Sequence, residues 1–172
     1  MNIILSIIED SDDHSNWIEA LFFNQRVRFR NIIRNDELVY MKFFKYKTKL
    51  FCENVILYGK YVFYFVKPNH FRKASKHLVQ LRTSLPSKKI LIIKNERRIL
   101  DLIYAFFPDA SIKKLELKIK KVTGDIELFI YFKHFRERGI AIGKKGNFIR
   151  VLNEVFEKYI YPVKISCLYT PE

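Results

Sequence analysis

The sequence predicts an α+β fold made of two tandem small modules behind a short N-terminal extension. Three observations lead to it. The order helix–strand–strand–helix–strand can be read twice along the chain. Within each round, alternating or continuous apolar strand patterns are bounded by turn residues, and helical patterns lie between them. No Ser/Gly-rich linker and no charge block separates the rounds, so residues 36–94 are expected to feed residues 95–172 with almost no slack. The 172 residues are 49% hydrophobic and 16% aromatic, enough for real cores and unlike a disordered tail.

Residues 1–35 form the extension. It holds an apolar start, the acidic turn "EDSDDHS", a helix pattern over Asn16–Asn24 with Ser15 as cap and Trp17, Leu21 and Phe22 on one face, and the basic stretch "QRVRFRNII". That stretch reads equally as an RNA contact or as an exposed edge strand.

The first module opens with a helix from Asp36, where Leu38, Met41 and Phe43 or Phe44 recur at helical spacing. "KLFCENVILY" and "YVFYFVKP" are strands joined at Gly59-Lys60, a two-residue spacing that suits a hairpin. A basic helix runs from His70 to Leu85, stopped by Pro86, and "KKILIIKN" closes the round. In the second module Asn95 is placed to cap "ERRILDLIYAFF", which ends at Pro108. "SIKKLELKIKKV" sets Ile112, Leu115, Leu117 and Ile119 against lysines as a half-buried strand, and Thr123-Gly124-Asp125 turns into the strand "IELFIYFKHF". Phe148, Ile149, Leu152, Val155, Phe156 and Tyr159 mark a last helix, and "PVKISCL" a last strand.

Charge bounds the partners. Thirty-two Lys and Arg against 18 Asp and Glu give +14, a field that favours nucleic acid, an anionic membrane surface or an acidic protein. No apolar run approaches the roughly 18 residues of a membrane span. The N-terminus lacks a basic n-region, so a cytoplasmic protein, or one made and kept inside an organelle, is expected. Cys52 and Cys167 lie in apolar strand patterns and read as buried free thiols.

The segment "RERGIAIGKKGNFIRVL" concentrates the chemistry, with three of the five glycines inside eight residues. Gly139-Ile140-Ala141-Ile142 can make one helical turn, and Gly143 to Gly146 then turns the chain into the next helix. Glycine tolerates positive φ and close backbone approach, and free N–H groups at a helix start suit a phosphate. Lys144 and Lys145 at the loop tip can neutralise neighbouring phosphates, with Arg136, Arg138 and Arg150 extending the track. Ile140 and Ile142 can floor a groove for flat-lying single-stranded bases, and Asn147 can read their edges.

On those residues the segment resembles the core of a type II KH domain, in which an aliphatic residue precedes G-x-x-G between two helices. The chain as a whole is similar to the archaeal-type NusA-like transcription factors, which consist of two tandem KH domains. The resemblance covers about the last 75 residues in sequence and residues 36–94 only in architecture. It implies a three-stranded mixed sheet packed on helices in each module, Gly143, Lys144, Lys145 and Gly146 as the RNA-clamping loop, Ile142 at the aliphatic position, and Gly139 with Ile140 leading in. It implies single-stranded RNA as ligand, RNA polymerase or the ribosome as the partner machine, and action in transcription elongation or termination. The alternative is a ribosomal or ribosome-assembly component using the same module structurally. The first module departs from the pattern. Laying "FRKASKHLVQL" over "IGKKGNFIRVL" puts Arg72-Lys73-Ala74-Ser75 where the loop belongs, without either glycine, so a degenerate unit is expected there.

Other readings fall away. The P-loop spacing fails by one residue, and no Ser or Thr follows its lysine. Asp10, Asp12 and Asp13 lack the glycine and the distal glutamate of a calcium loop. His14, His70, His77 and His134 are dispersed, so no metal, no cofactor and no catalysis are expected. The strand "YVFYFV" is expected in the core and not as a base-stacking platform.

Overall fold

The computed structural model of the chain describes residues 14–30, 33–120 and 123–170, with side chains from Glu19 onward. The Asp10–Asp13 turn and the Trp17 side chain lie outside what is described, and Ser15, expected as a cap, is already helical because the helix begins at His14. The fold is α+β and contains two three-stranded mixed sheets, each packed on helices. Two compact units result. One is Asn31–Phe106, and the other joins the N-terminal segment up to Arg30 with the chain from Phe107 onward.

In the first of these units, helix α2 (Asn35–Thr48) follows helix α1 (His14–Asn24) of the other unit in sequence. It starts where the Arg34 amide donates to the Glu37 carboxylate at 2.9 Å, and stops at Lys49 in the left-handed conformation, φ 59°. Strands β1 (Asn54–Tyr58) and β2 (Tyr61–Val66) form the expected hairpin, closed by Gly59 at φ 56°. β2 pairs in parallel with β3 (Lys89–Lys94). All of β2 is buried, which is why it reads as a continuous aromatic run. Val62, Tyr64 and Val66 pack with Phe44, Leu81 and Ile90. Phe63 and Phe65, on the opposite face, meet Phe106 edge-on at 6.0 and 6.1 Å.

The single helix expected over His70–Leu85 is two helices, α3 (Pro68–Ser75) and α4 (Leu78–Ser84), broken at Lys76-His77. No glycine or proline marks the break. The apolar pattern runs straight through because Ala74 on one side and Leu81 on the other are both buried in the same core. Helix α5 (Ile99–Ala105) also starts later than expected. Asn95 does not cap it: its amide N–H donates to the Val66 carbonyl and its side chain to Glu53, each at 2.7 Å. Those bonds hold Asn95 as a continuation of the sheet. The sequence-based boundary at residues 94/95 precedes α5, whereas the compact unit continues through it, with Ile99, Leu102 and Ile103 buried.

In the other unit, β4 (Ile112–Ile119) pairs antiparallel with β5 (Ile126–Phe132), and β5 pairs in parallel with β6 (Lys164–Tyr169). The register slips between Ile112 and Lys114, which accounts for the three-residue step from Ile112 to Leu115 in an otherwise alternating strand. Helices α6 (Phe135–Ile142) and α7 (Asn147–Val155) connect β5 to β6, and a π turn over Phe156–Ile160 ends the crossover. The N-terminal segment is built into this unit. Phe22 is buried edge-on against Tyr161 at 5.3 Å, and the Arg30 amide donates to the Tyr159 carbonyl at 2.8 Å. Glu19 accepts the edge N–H of Leu117 at 3.2 Å. From Gln25 to Arg30 the chain is not helical, with Arg26, Arg28 and Arg30 exposed and Val27 and Phe29 half-buried.

Candidate nucleic-acid interface

The glycine segment joins α6 to α7. The sequence placed one helical turn at Gly139–Ile142, but α6 begins at Phe135, so Arg136, Arg138 and Gly139 lie within a longer helix. Two polar contacts fix that helix. The Glu137 carboxylate accepts the Ser111 amide at 3.0 Å, and Arg138 Nε donates to the Cys167 carbonyl of β6 at 3.1 Å. Ala141 is buried, Ile142 half-buried, and Ile140 is 68% exposed.

The chain then leaves the helix at Gly143, φ 74° and ψ 170°, whose N–H still donates to Gly139. Lys144 to Gly146 make a 3₁₀ turn closed by the Gly146 amide on the Gly143 carbonyl at 3.0 Å. Gly146 stands at φ 71°, and Lys145 between the glycines is itself left-handed at φ 55°, a strained conformation for a residue with a Cβ. Both lysine side chains project into solvent. Asn147 is the first residue of α7, half-buried, and Arg150 is exposed one turn further along. The Asn147 amide donates to the Lys144 carbonyl, so the N-terminus of α7, with its positive dipole end, is tied directly to a loop carrying two lysines.

Of the three arginines, Arg136 and Arg150 face solvent. Arg138 is engaged with the Cys167 carbonyl and lies 5.9 Å from the Phe135 ring. Sequence reasoning missed Asn153 on α7, which exchanges two hydrogen bonds with Ile165, accepting its N–H at 2.5 Å and donating to its carbonyl at 3.0 Å. That exchange satisfies part of the free edge of β6 with a side chain. It also missed Phe135, 66% exposed and edge-on to Tyr169 at 5.9 Å, because "FKHF" read as the end of a strand.

In the first unit the connection between helices that corresponds in element order is Lys76-His77. Arg72 to Ser75, where the sequence alignment put the loop, lie inside α3, and Ala74 is fully buried. The apolar pattern continues across the break, because Ala74 and Leu81 are buried in one core. No glycine and no left-handed residue occurs at Lys76-His77.

A cleft of about 590 Å³ opens between Gly124–Glu127, Asn153, Tyr161 and Lys164. Its two lysines share one carboxylate, Glu127, which holds Lys120 at 3.0 Å and Lys164 at 3.6 Å. Burial pushes the Cys52 and Cys167 thiols up to about 12, which keeps both protonated. Among the described residues no group of His, Cys, Asp and Glu could hold a metal ion, and no helix is long and apolar enough to cross a membrane.

The chain is similar to a solved structure, the crystal structure of APE1850, with a TM-score of 0.61 and 19% sequence identity over 80% of this chain and 100% of that one. At that identity the likeness is one of fold. No protein-family model and no curated protein matches the chain.

Proposed function

We propose that the chain is an RNA-binding protein that clamps single-stranded RNA through the loop Gly143–Gly146, without chemistry of its own. The observation that carries this reading is the loop itself. Two glycines and a lysine are held left-handed between α6 and α7, with two solvent-facing lysines at the tip. Strain of that kind persists where surrounding structure imposes it, and here it brings bare backbone and positive charge to one place. Phosphates would approach over Gly143 and Gly146, neutralised by Lys144 and Lys145, with Arg136 and Arg150 attracting the flanking backbone. Bases would lie toward Ile140 and Ile142, with Asn147 at the rim and room for about four nucleotides.

The finer reading is of two type II KH units, the first degenerate. Each sheet has an antiparallel pair followed by a parallel one, and in the second unit two helices flank the G-x-x-G inside the parallel crossover. That arrangement supports the resemblance to NusA-like transcription factors, and with it a role beside RNA polymerase in elongation or termination.

The test is binding of a short single-stranded oligoribonucleotide to the chain carrying both Lys144→Asp and Lys145→Asp. Binding is expected to disappear while the thermal midpoint stays within about a degree, because both side chains are exposed and aspartate tolerates a left-handed backbone. Unaltered affinity would sink the loop assignment. For the partner machine, co-purification with RNA polymerase is expected. Co-sedimentation with ribosomal subunits alone would replace transcription by ribosome assembly.

A further inference from the structure

The first unit has no such glycine loop between its helices, yet it carries an exposed concentration of rings and lysines. It lies at the C-terminal end of α2 and the turn into β1. Tyr46 is 70% and Phe51 64% exposed, unusual for rings so close to a packed core. Lysines cover them: Lys45 Nζ is 4.2 Å from the Phe51 ring centre, and Lys49 Nζ is 5.0 Å from that of Tyr46. Lys47 Nζ stands 5.7 Å from the Tyr46 ring. Lys42 is exposed one turn earlier, and no acidic residue occurs between Glu37 and Glu53. Lysines in a last helical turn offset the helix dipole, which accounts for some of the charge but for neither exposed ring.

We propose that this face is a second contact for single-stranded RNA, in which bases stack on Tyr46 and Phe51 while Lys42, Lys45, Lys47 and Lys49 neutralise the phosphates. The proposal rests on the reading that the chain binds single-stranded RNA, and adds a site distinct from the 143–146 loop. An exposed lysine–ring contact is weaker than a base stacked on the same ring. An arriving base therefore displaces the lysine head, which swings to the adjacent phosphate. Exposed rings among lysines fit a flexible polyanion and give no sequence preference, since every base has a face to stack.

Oligouridylate is the probe, photo-cross-linked to the full chain with the adducts mapped by mass spectrometry. Its affinity is measured for the wild type, for Tyr46→Ala with Phe51→Ala, for Tyr46→Phe with Phe51→Tyr, and for the loop double variant. Adducts are expected at Tyr46 or Phe51. The alanine pair should bind roughly tenfold more weakly with unchanged thermal unfolding, and the aromatic exchange should restore affinity. Adducts confined to the 143–146 segment, with full affinity in the alanine pair, overturn the second site and leave the loop standing. Adducts at the rings with full affinity in the loop variant overturn the loop and support this face. Absence of any binding overturns both, and so, for this face, does self-association that the alanine pair abolishes without RNA adducts.

Discussion

Gly143 and Phe148 pass so close that a methyl group on Gly143 would lie 2.8 Å from the Phe148 Cβ and 3.1 Å from its amide nitrogen. Phe148 cannot readily yield, because its ring is edge-on to Phe107 at 6.4 Å, and Phe107 in turn to Phe132 at 5.6 Å. Gly143→Ala therefore meets both a steric block and a positive φ, and is expected to cost about 3 kcal/mol. Gly146→Ala meets open space and only the φ penalty, about 1 kcal/mol. Denaturant unfolding of the two variants should keep that order, and equal losses would show that Phe148 moves aside.

Lys145→Gly separates strain from function. Removing the Cβ at φ 55° should raise stability by about 1 kcal/mol. Removing the charge should weaken RNA binding and flatten its salt dependence. A variant with stability and affinity moving in the same direction would contradict the proposed role of Lys145.

The hydroxyl of Tyr64 is buried without a hydrogen-bond partner, its ring 4.6 Å from that of Phe44. Burial also pushes its pKa well above the ordinary tyrosine range, so it stays neutral. Tyr64→Phe removes an unsatisfied polar atom with no loss of ring packing. Thermal unfolding should show stability unchanged or raised by up to about 1 kcal/mol. A clear loss would mean that the hydroxyl is bonded in solution.

Two carboxylates at β4 make opposite contributions to stability against pH. Burial pushes Glu116 up, but hydrogen bonds from Tyr131 at 2.8 Å, Lys114 at 3.2 Å and Lys118 at 3.3 Å outweigh it and hold the carboxyl below its usual 4.5. A depressed carboxylate stabilises above its unfolded value, and that contribution is lost as pH falls through the folded one. Glu19 is raised, mainly by burial and partly by the neighbouring Glu116 charge, against the bond from the Leu117 amide and the attraction of Lys114. Its contribution has the other sign: stability falls as pH climbs from 4.5 through its folded value. Glu116→Gln should flatten the acid limb below pH 4.5, and Glu19→Gln the decline above it, in thermal midpoints measured across the acid range. Exchanged effects would refute the assignment.

The element order was legible because its signals are local. Gly59-Lys60 between two apolar runs specified the hairpin, and the aliphatic residues of "SIKKLELKI" specified the strand over Ile112–Ile119. The glycines at 143 and 146 marked the turn between helices through their own backbone requirement. What escaped sequence reading depends on partners distant along the chain. Asn95 looked like a helix cap because asparagine caps helices, but Glu53 and Val66 hold it in the sheet. Helix α3 ends at Ser75 without any breaker, since Ala74 and Leu81 must reach one core from separate helices.

The sequence by itself determined the two rounds of α+β structure, the basic field and the place of the loop, because period, charge and glycine act within a few residues. Only tertiary structure decided that Arg138 serves β6 while Arg136 and Arg150 face solvent. It also decided that Glu19 of α1 bonds the edge of β4 and that Phe148 leaves no room for a side chain at Gly143. Each of these is a contact between residues the chain brings together only after folding, and a one-dimensional pattern carries no term for it.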